Sequence, residues 1–153
     1  MNLLRCVLIP VALSITAYAA AQEVRVPSNS KSKALVLIES DMYVVVPANR
    51  LSLIAYSTHT SRVSRITLDD PLPEDCTPAI ANGVAVVQCG RTVYAIGKRG
   101  GTWSRLDLAA DGLHFEFDGN AVRFSNEDVL YVFGSGATEW TGFDLHDGRI
   151  IAP

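Results

Sequence analysis

The chain has 153 residues, 48% of them hydrophobic and 19% charged, and its 13 Lys and Arg against 16 Asp and Glu give a formal net charge of −3. That length suits one domain with a core of its own. The acidic balance argues against nucleic acid as a partner, because nucleic-acid binders carry a basic patch and a high pI.

The first element in chain order is a leader. Arg5 is its single basic residue, and an uncharged run follows from Cys6 to Ala21, ending Ala17-Tyr18-Ala19-Ala20-Ala21. A basic start, a short apolar stretch and an A-x-A site specify a secretory signal peptide over residues 1–21, cut before Ala20 or before Gln22. A membrane anchor fits less well, since the run contains Pro10 and is shorter than the roughly 20 apolar residues that span a bilayer. The expected location is extracytoplasmic, periplasmic or secreted, with no membrane contact after cleavage. Residues 22–33 are polar, with Pro27 and several Ser and Lys, and read as a flexible leader.

From residue 34 onward the chain repeats at a period of about 40 residues, the signature of a stacked or radial array. At an offset of 40, Val44 matches Val84, Val46 matches Val86, Leu53 matches Val93 and Ala55 matches Ala95. Ser64-Arg65-Ile66 falls on Ser104-Arg105-Leu106, and Leu68 on Leu108. A third row follows with small deletions, Leu130-Tyr131-Val132-Phe133-Gly134 on Val93-Tyr94-Ala95-Ile96-Gly97, and Trp140 on Trp103. The first row has Val63 where the others have Trp. The repeats span about 34–70, 71–110 and 111–147 of a β domain covering 34–153.

Each row divides into four short runs in which β-branched and aromatic residues alternate with polar ones, with turn residues between them. In the middle row the predicted strands are Thr77 to Asn82, Val84 to Cys89, Thr92 to Gly97 and Trp103 to Leu108. No stretch beyond the leader keeps a helical period. The fold class is therefore all-β, with about a dozen strands in three four-stranded antiparallel meanders.

Asn-Gly is the favoured two-residue hairpin turn. With Asn82-Gly83 as that turn, facing residues have numbers summing to 165, which sets Cys76 opposite Cys89. Alternation outward from the turn makes theirs a non-hydrogen-bonded pair, where Cα atoms approach more closely. A disulfide between Cys76 and Cys89 is expected, and export to an oxidising compartment permits it. Two buried free thiols are the alternative. In the third row, Gly119-Asn120 as the turn pairs Glu116 with Arg123 and Phe115 with Phe124, contacts of the kind that stabilise a ladder. Asp118-Gly119 would set His114 against Arg123 instead.

Four-stranded units at this period occur chiefly in propellers. The run Gly83-Val84-Ala85-Val86-Val87, then Val93-Tyr94-Ala95-Ile96-Gly97, then Trp103 followed by Leu106 resembles a shortened kelch-type blade. It is closer to the degenerate propeller-like repeats of bacterial exported proteins, whose third strand Ile54-Ala55-Tyr56-Ser57 also resembles. The kelch glycine pair is reduced here to Gly97 or Gly134. The resemblance implies three blades, fewer than the 4 to 8 of closed propellers, and hence open edges. Self-association is one way to close the array, two chains making six blades. The tail Arg149-Ile150-Ile151-Ala152-Pro153 is expected to begin a fourth blade if the chain is a piece of a larger propeller. A β-trefoil or β-prism is the rival architecture.

Chemistry is sparse. His59, His114 and His146 have no His or Cys at metal-ligand spacing. Asp69, Asp70, Glu74 and Asp75 lie between the first two repeats without calcium-loop spacing, and Pro71 and Pro73 make that stretch a stiff connection. Arg62, Arg91, Lys98 and Arg99 read as rim charges, and Trp103 and Trp140 as packing anchors. No G-x-S-x-G elbow, phosphate loop or dinucleotide fingerprint occurs. No catalytic residue, metal or cofactor is therefore assigned. The expected function is an exported binding or scaffold module for a protein or glycan, with a carbohydrate-active hydrolase or lyase using loop carboxylates as the alternative, and a non-functional fragment as a third.

Overall fold

A computed structural model describes residues 34–108 and 113–152. The expected signal peptide (1–21) and flexible leader (22–33) lie outside the described residues. Within them the protein is all-β. The first sheet contains β1 (Leu35–Glu39), β2 (Met42–Val46), β3 (Ser52–Ser57) and β4 (Arg62–Thr67). The second contains β5 (Thr77–Ala81), β6 (Val84–Cys89), β7 (Thr92–Gly97) and β8 (Ser104–Asp107). The third contains β9 (Phe115–Asp118), β10 (Ala121–Ser125), β11 (Val129–Gly134), β12 (Thr141–Asp144) and a short β13 (Ile150–Ile151). Every strand pairs antiparallel with its neighbour in sequence and with no other.

The sequence-derived registers hold. Thr77 faces Gln88 and Pro78 faces Val87, so the numbers sum to 165 as the Asn82-Gly83 turn requires. Both turn residues have positive φ, 54° at Asn82 and 75° at Gly83, which a two-residue hairpin turn of this hand demands. Cys76 and Cys89 are joined in a disulfide with a Cα–Cα distance of 4.3 Å, the close spacing of a non-hydrogen-bonded pair. In the third sheet Glu116 faces Arg123 and Phe115 faces Phe124. Their side chains meet, with Arg123 Nη2 at 2.7 Å from Glu116 and the rings edge-on at 6.0 Å. The alternative turn at Asp118-Gly119 is ruled out.

One expectation is corrected. Ile150 and Ile151 do not begin a fourth four-stranded unit; they turn back and pair with β12 as a fifth strand of the third sheet. The bend is local, with Gly148 at φ 74° and Asp144 accepting from the His146 amide at 2.9 Å.

Alternation along each strand sends successive side chains to opposite faces, and this decides how the sheets stack. Leu37, Val44, Val46, Leu53 and Ala55 of the first sheet bury against Ile80, Ala85, Val87, Ile96 and Trp103 of the second. The other face of the second sheet, with Val84, Val86, Val93, Ala95 and Leu106, buries against Val122, Phe124, Tyr131, Phe133 and Trp140 of the third. The three sheets thus stand in series with two separate cores and the second sheet in the middle. A β-prism would instead gather all three around one core. Each fully buried aliphatic side chain contributes about 1.5–3 kcal/mol, whereas an exposed ion pair gives about 0–1 kcal/mol. The two cores therefore hold the stack together.

Edge strand β8 carries exposed charge, which discourages unwanted strand pairing. Arg105 lies 3.0 Å from Asp107, and its hydrogen bond, helped by one from Thr92, holds the Asp107 carboxyl below the ordinary carboxylate range. Because the folded value lies below the unfolded one, Asp107's contribution is complete above the unfolded pKa and fades as pH falls through the folded value. Carboxyl-carbon NMR should show Asp107 titrating below the ordinary aspartate range, and Arg105→Gln should move it up. An unchanged titration in the variant would show that Arg105 is not the cause.

Candidate interaction faces

The junctions between sheets repeat, as the sequence does. At the first, Ser57 Oγ donates to the Lys98 carbonyl at 2.8 Å and the Ser64 hydroxyl donates to the Gly101 carbonyl. The Glu39 carboxylate accepts from the amides of Asn82 and Gly83. At the second junction the Arg99 amide donates to the Ser135 carbonyl at 2.9 Å. Ser135 is the repeat equivalent of Lys98, so the same loop carbonyl is the acceptor at both junctions. The donor side differs: the first sheet has Ser57 at this point, which bonds the carbonyl, and the second has its equivalent Gly97, where a Cβ would run into the Ser135 carbonyl.

Trp103 and Trp140 stand just before the fourth strands of their sheets and occupy the same place at successive junctions. Each belongs to the core shared with the preceding sheet. They are 8% and 3% exposed, and neither indole N–H has a hydrogen-bond partner. Packing alone holds them. Val63, their equivalent in the first sheet, is 68% exposed. The contrast has a simple cause, because no sheet precedes the first among the described residues.

The uncovered face around Val63 is apolar over β1 to β3, with exposed Arg65 on it at β4, opposite Ile54. Alternation puts Val36, Ile38, Val45 and Ile54 on it with Tyr43 and Tyr56, which stand opposite each other in the ladder with ring centroids 6.1 Å apart. Both tyrosines are exposed. At the far end of the stack, the outer face of the third sheet presents Leu130, Val132 and Phe143, with Leu145 48% and Ile150 75% exposed. Its β9–β10 part is polar, formed by Arg123, Glu116 and Asp118.

The remaining charged residues are dispersed. His59 and His114 are exposed in loops, and His146 Nε2 lies 2.9 Å from Asp128, both on the surface. Asp69, Asp70, Glu74 and Asp75 are exposed on the connection between the first two sheets. That connection is pinned by buried Leu72 and by Arg50, which donates to the Pro73 carbonyl. Among the described residues no group of three or more His, Cys, Asp or Glu could hold a metal ion. Beside the disulfide, Arg50, Leu72 and Pro78 help line a cavity of about 20 Å³, room for a single water and not for a sugar.

Of the four rim charges, Arg62 and Arg99 are exposed, while the Arg91 Nε–H donates to the Leu108 carbonyl at 2.8 Å. Lys98 departs from the sequence reading. Its ammonium lies 3.4 Å from Asp41 of the first sheet and its stem lies over Gly83, so it clamps a junction. Sequence reasoning also passed over the Val63 face. Its signal was present in the unbroken apolar alternation of β1 to β3, which has no polar side to give to solvent.

No protein-family model matches the chain, and no curated protein matches it. Among solved structures, the crystal structure of Hsv2 from Kluyvelomyces marxianus is similar over 75% of this chain and 46% of that one, at 15% identity and a TM-score of 0.37. The chain spans less than half the length of that protein.

Proposed function

We propose that the protein is an exported binding module, a propeller-type array of three blades that works by docking its uncovered end faces against a protein partner. The observation that carries this reading is Val63. It occupies a position that is a buried tryptophan at both internal junctions, yet it is 68% exposed in an apolar sheet face. Large contiguous apolar patches on soluble proteins mark interaction sites, and a flat face suits a protein better than a small molecule.

The blade reading is supported by the sequential strand order in each sheet and by contacts between equivalent strands across the junctions, β1 with β5 at the first and β6 with β10 and β7 with β11 at the second. The Cys76–Cys89 disulfide fits an oxidising compartment, which agrees with the leader at residues 1–21.

A photo-crosslinking residue at position 63, in the full chain carrying its own leader, tests the reading. It should give a discrete protein adduct in the compartment to which the chain is exported, while the same residue at exposed Asp70, on the connection between the first two sheets, gives none. Absence of an adduct at 63, or equal labelling at both positions, would overturn it.

A further inference from the structure

We infer that the partner on the Val63 face is a second copy of this chain, which docks the outer face of its third sheet there, so that two chains close a ring of six sheets. This rests on the blade reading above and deepens it. The argument comes from the junctions already built into the molecule. Each joins an earlier sheet's face, bearing Leu53 or Val93, to the next sheet's face, bearing Trp103 or Trp140. Among the described residues one face of each kind is left over. Leu130 on the third sheet is the equivalent of Leu53 and Val93, and Val63 on the first sheet is the equivalent of the two tryptophans. The leftover faces therefore match by the same rule that joins the sheets within the chain.

Gly134 supplies a second, independent observation. Its equivalents both meet the next sheet's loop carbonyl, Ser57 through its hydroxyl and Gly97 with no room for a Cβ. Gly134 is at the same point of the third sheet and has no comparable need, since it is absent from the positive-φ positions and a Cβ there would meet nothing nearer than the Asn120 carbonyl at 3.9 Å. Repeating the junction would bring the Thr58 carbonyl of the second copy, equivalent to Ser135 and Lys98, against Gly134. It would also bring the Thr141 hydroxyl, equivalent to Ser64, to the Ser61 carbonyl. Ser61 already has the positive φ of its equivalent Gly101, 53° against 69°.

Stoichiometry follows from the blade count. A head-to-tail contact forms a ring when its rotation closes, and propellers close at 4 to 8 blades. With three sheets per chain, six is the only multiple in that range. The Arg123–Glu116 pair lies on β9 and β10 and is already satisfied within its own sheet, so it leaves β11 to β13 as the apolar part of the contact.

Light scattering on the full chain, expressed with its leader and purified after export, should give twice the single-chain mass. Val63→Arg and Leu130→Glu should each give the single-chain mass while keeping native circular dichroism and the closed disulfide. Gly134→Val, which meets open space in the free chain, should do the same. An equimolar mixture of Val63→Arg and Leu130→Glu should return to twice the mass, because one unaltered pair of faces remains and the altered pair has opposite charges. A single-chain mass for the wild type overturns the inference. So does dissociation by Val63→Arg alone, which would mean a contact of the first sheet with itself, and so does a mixture that stays dissociated. A wild-type monomer that still crosslinks through position 63 to another protein would sink the self-association and leave the binding reading standing.

Discussion

Trp140→Ala should lower the unfolding free energy by about 3–5 kcal/mol, the usual result of truncating a buried tryptophan. The indole is 3% exposed and lies edge-on to Phe124 at 5.7 Å and tilted against Phe133 at 5.2 Å. These three aromatics form much of the core between the second and third sheets, and the indole N–H adds no hydrogen bond whose loss would complicate the result. Trp103→Ala should cost nearly as much, since the site is 8% exposed. Val63→Ala, at the equivalent position, should change the stability of the single chain by no more than about 0.5 kcal/mol, as exposed substitutions do. Urea denaturation of the three variants provides the check. Similar losses at 63 and 140 would show that the first sheet's outer face is covered within the chain. A loss at 63 that grows with protein concentration would belong to association instead.

The second large effect is expected at the disulfide. Cys76 and Cys89 are separated by 13 positions, and closing a loop of that size removes about 3 kcal/mol of freedom from the unfolded chain. The bond closes the open end of the β5–β6 hairpin, whose other end is fixed by Asn82-Gly83, and both sulfurs pack against the core of the first two sheets. Replacing both cysteines by alanine should therefore lower stability by about 2–4 kcal/mol, read as a lower denaturation midpoint. Reducing agent should have a similar effect on the wild type and none on the variant. Equal midpoints with and without the bond would mean that the hairpin is already ordered in the unfolded ensemble. A loss of this size is a large fraction of the 5–15 kcal/mol that holds typical domains together, and disulfides persist in oxidising compartments.

Much of this fold was legible in the sequence because its information is local. Turn residues placed Asn82-Gly83 and Gly119-Asn120, and each turn set a register that could be checked against cysteines or charges several residues away. What escaped depended on neighbours far along the chain. Lys98 looked like any rim cation, and only the stacking of sheets brings it to Asp41. Gly97 and Gly134 are indistinguishable in sequence, yet only one has a neighbouring sheet against it. Ile150 and Ile151 were misread because two residues carry no periodicity, so nothing local separates the start of a new sheet from the end of an old one. Val63 was recognised as an equivalent of the tryptophans, but exposure is a property of what is absent beside it and has no local signature.

The pairing of every strand with its immediate neighbour in sequence has a kinetic consequence. All-β proteins fold slowly when their strands must find distant partners, because loop closure precedes any compensating contact. Here each pairing is a hairpin, and hairpins form in about 1–10 μs. A chain delivered with its N-terminus first can complete one sheet while the next is still arriving, and each finished sheet offers the surface on which the next condenses. The two cysteines meet inside a single hairpin, so their oxidation requires no search through wrong pairings. Ordered growth of this kind leaves the first-formed outer face uncovered longest, and among the described residues that surface is the Val63 face.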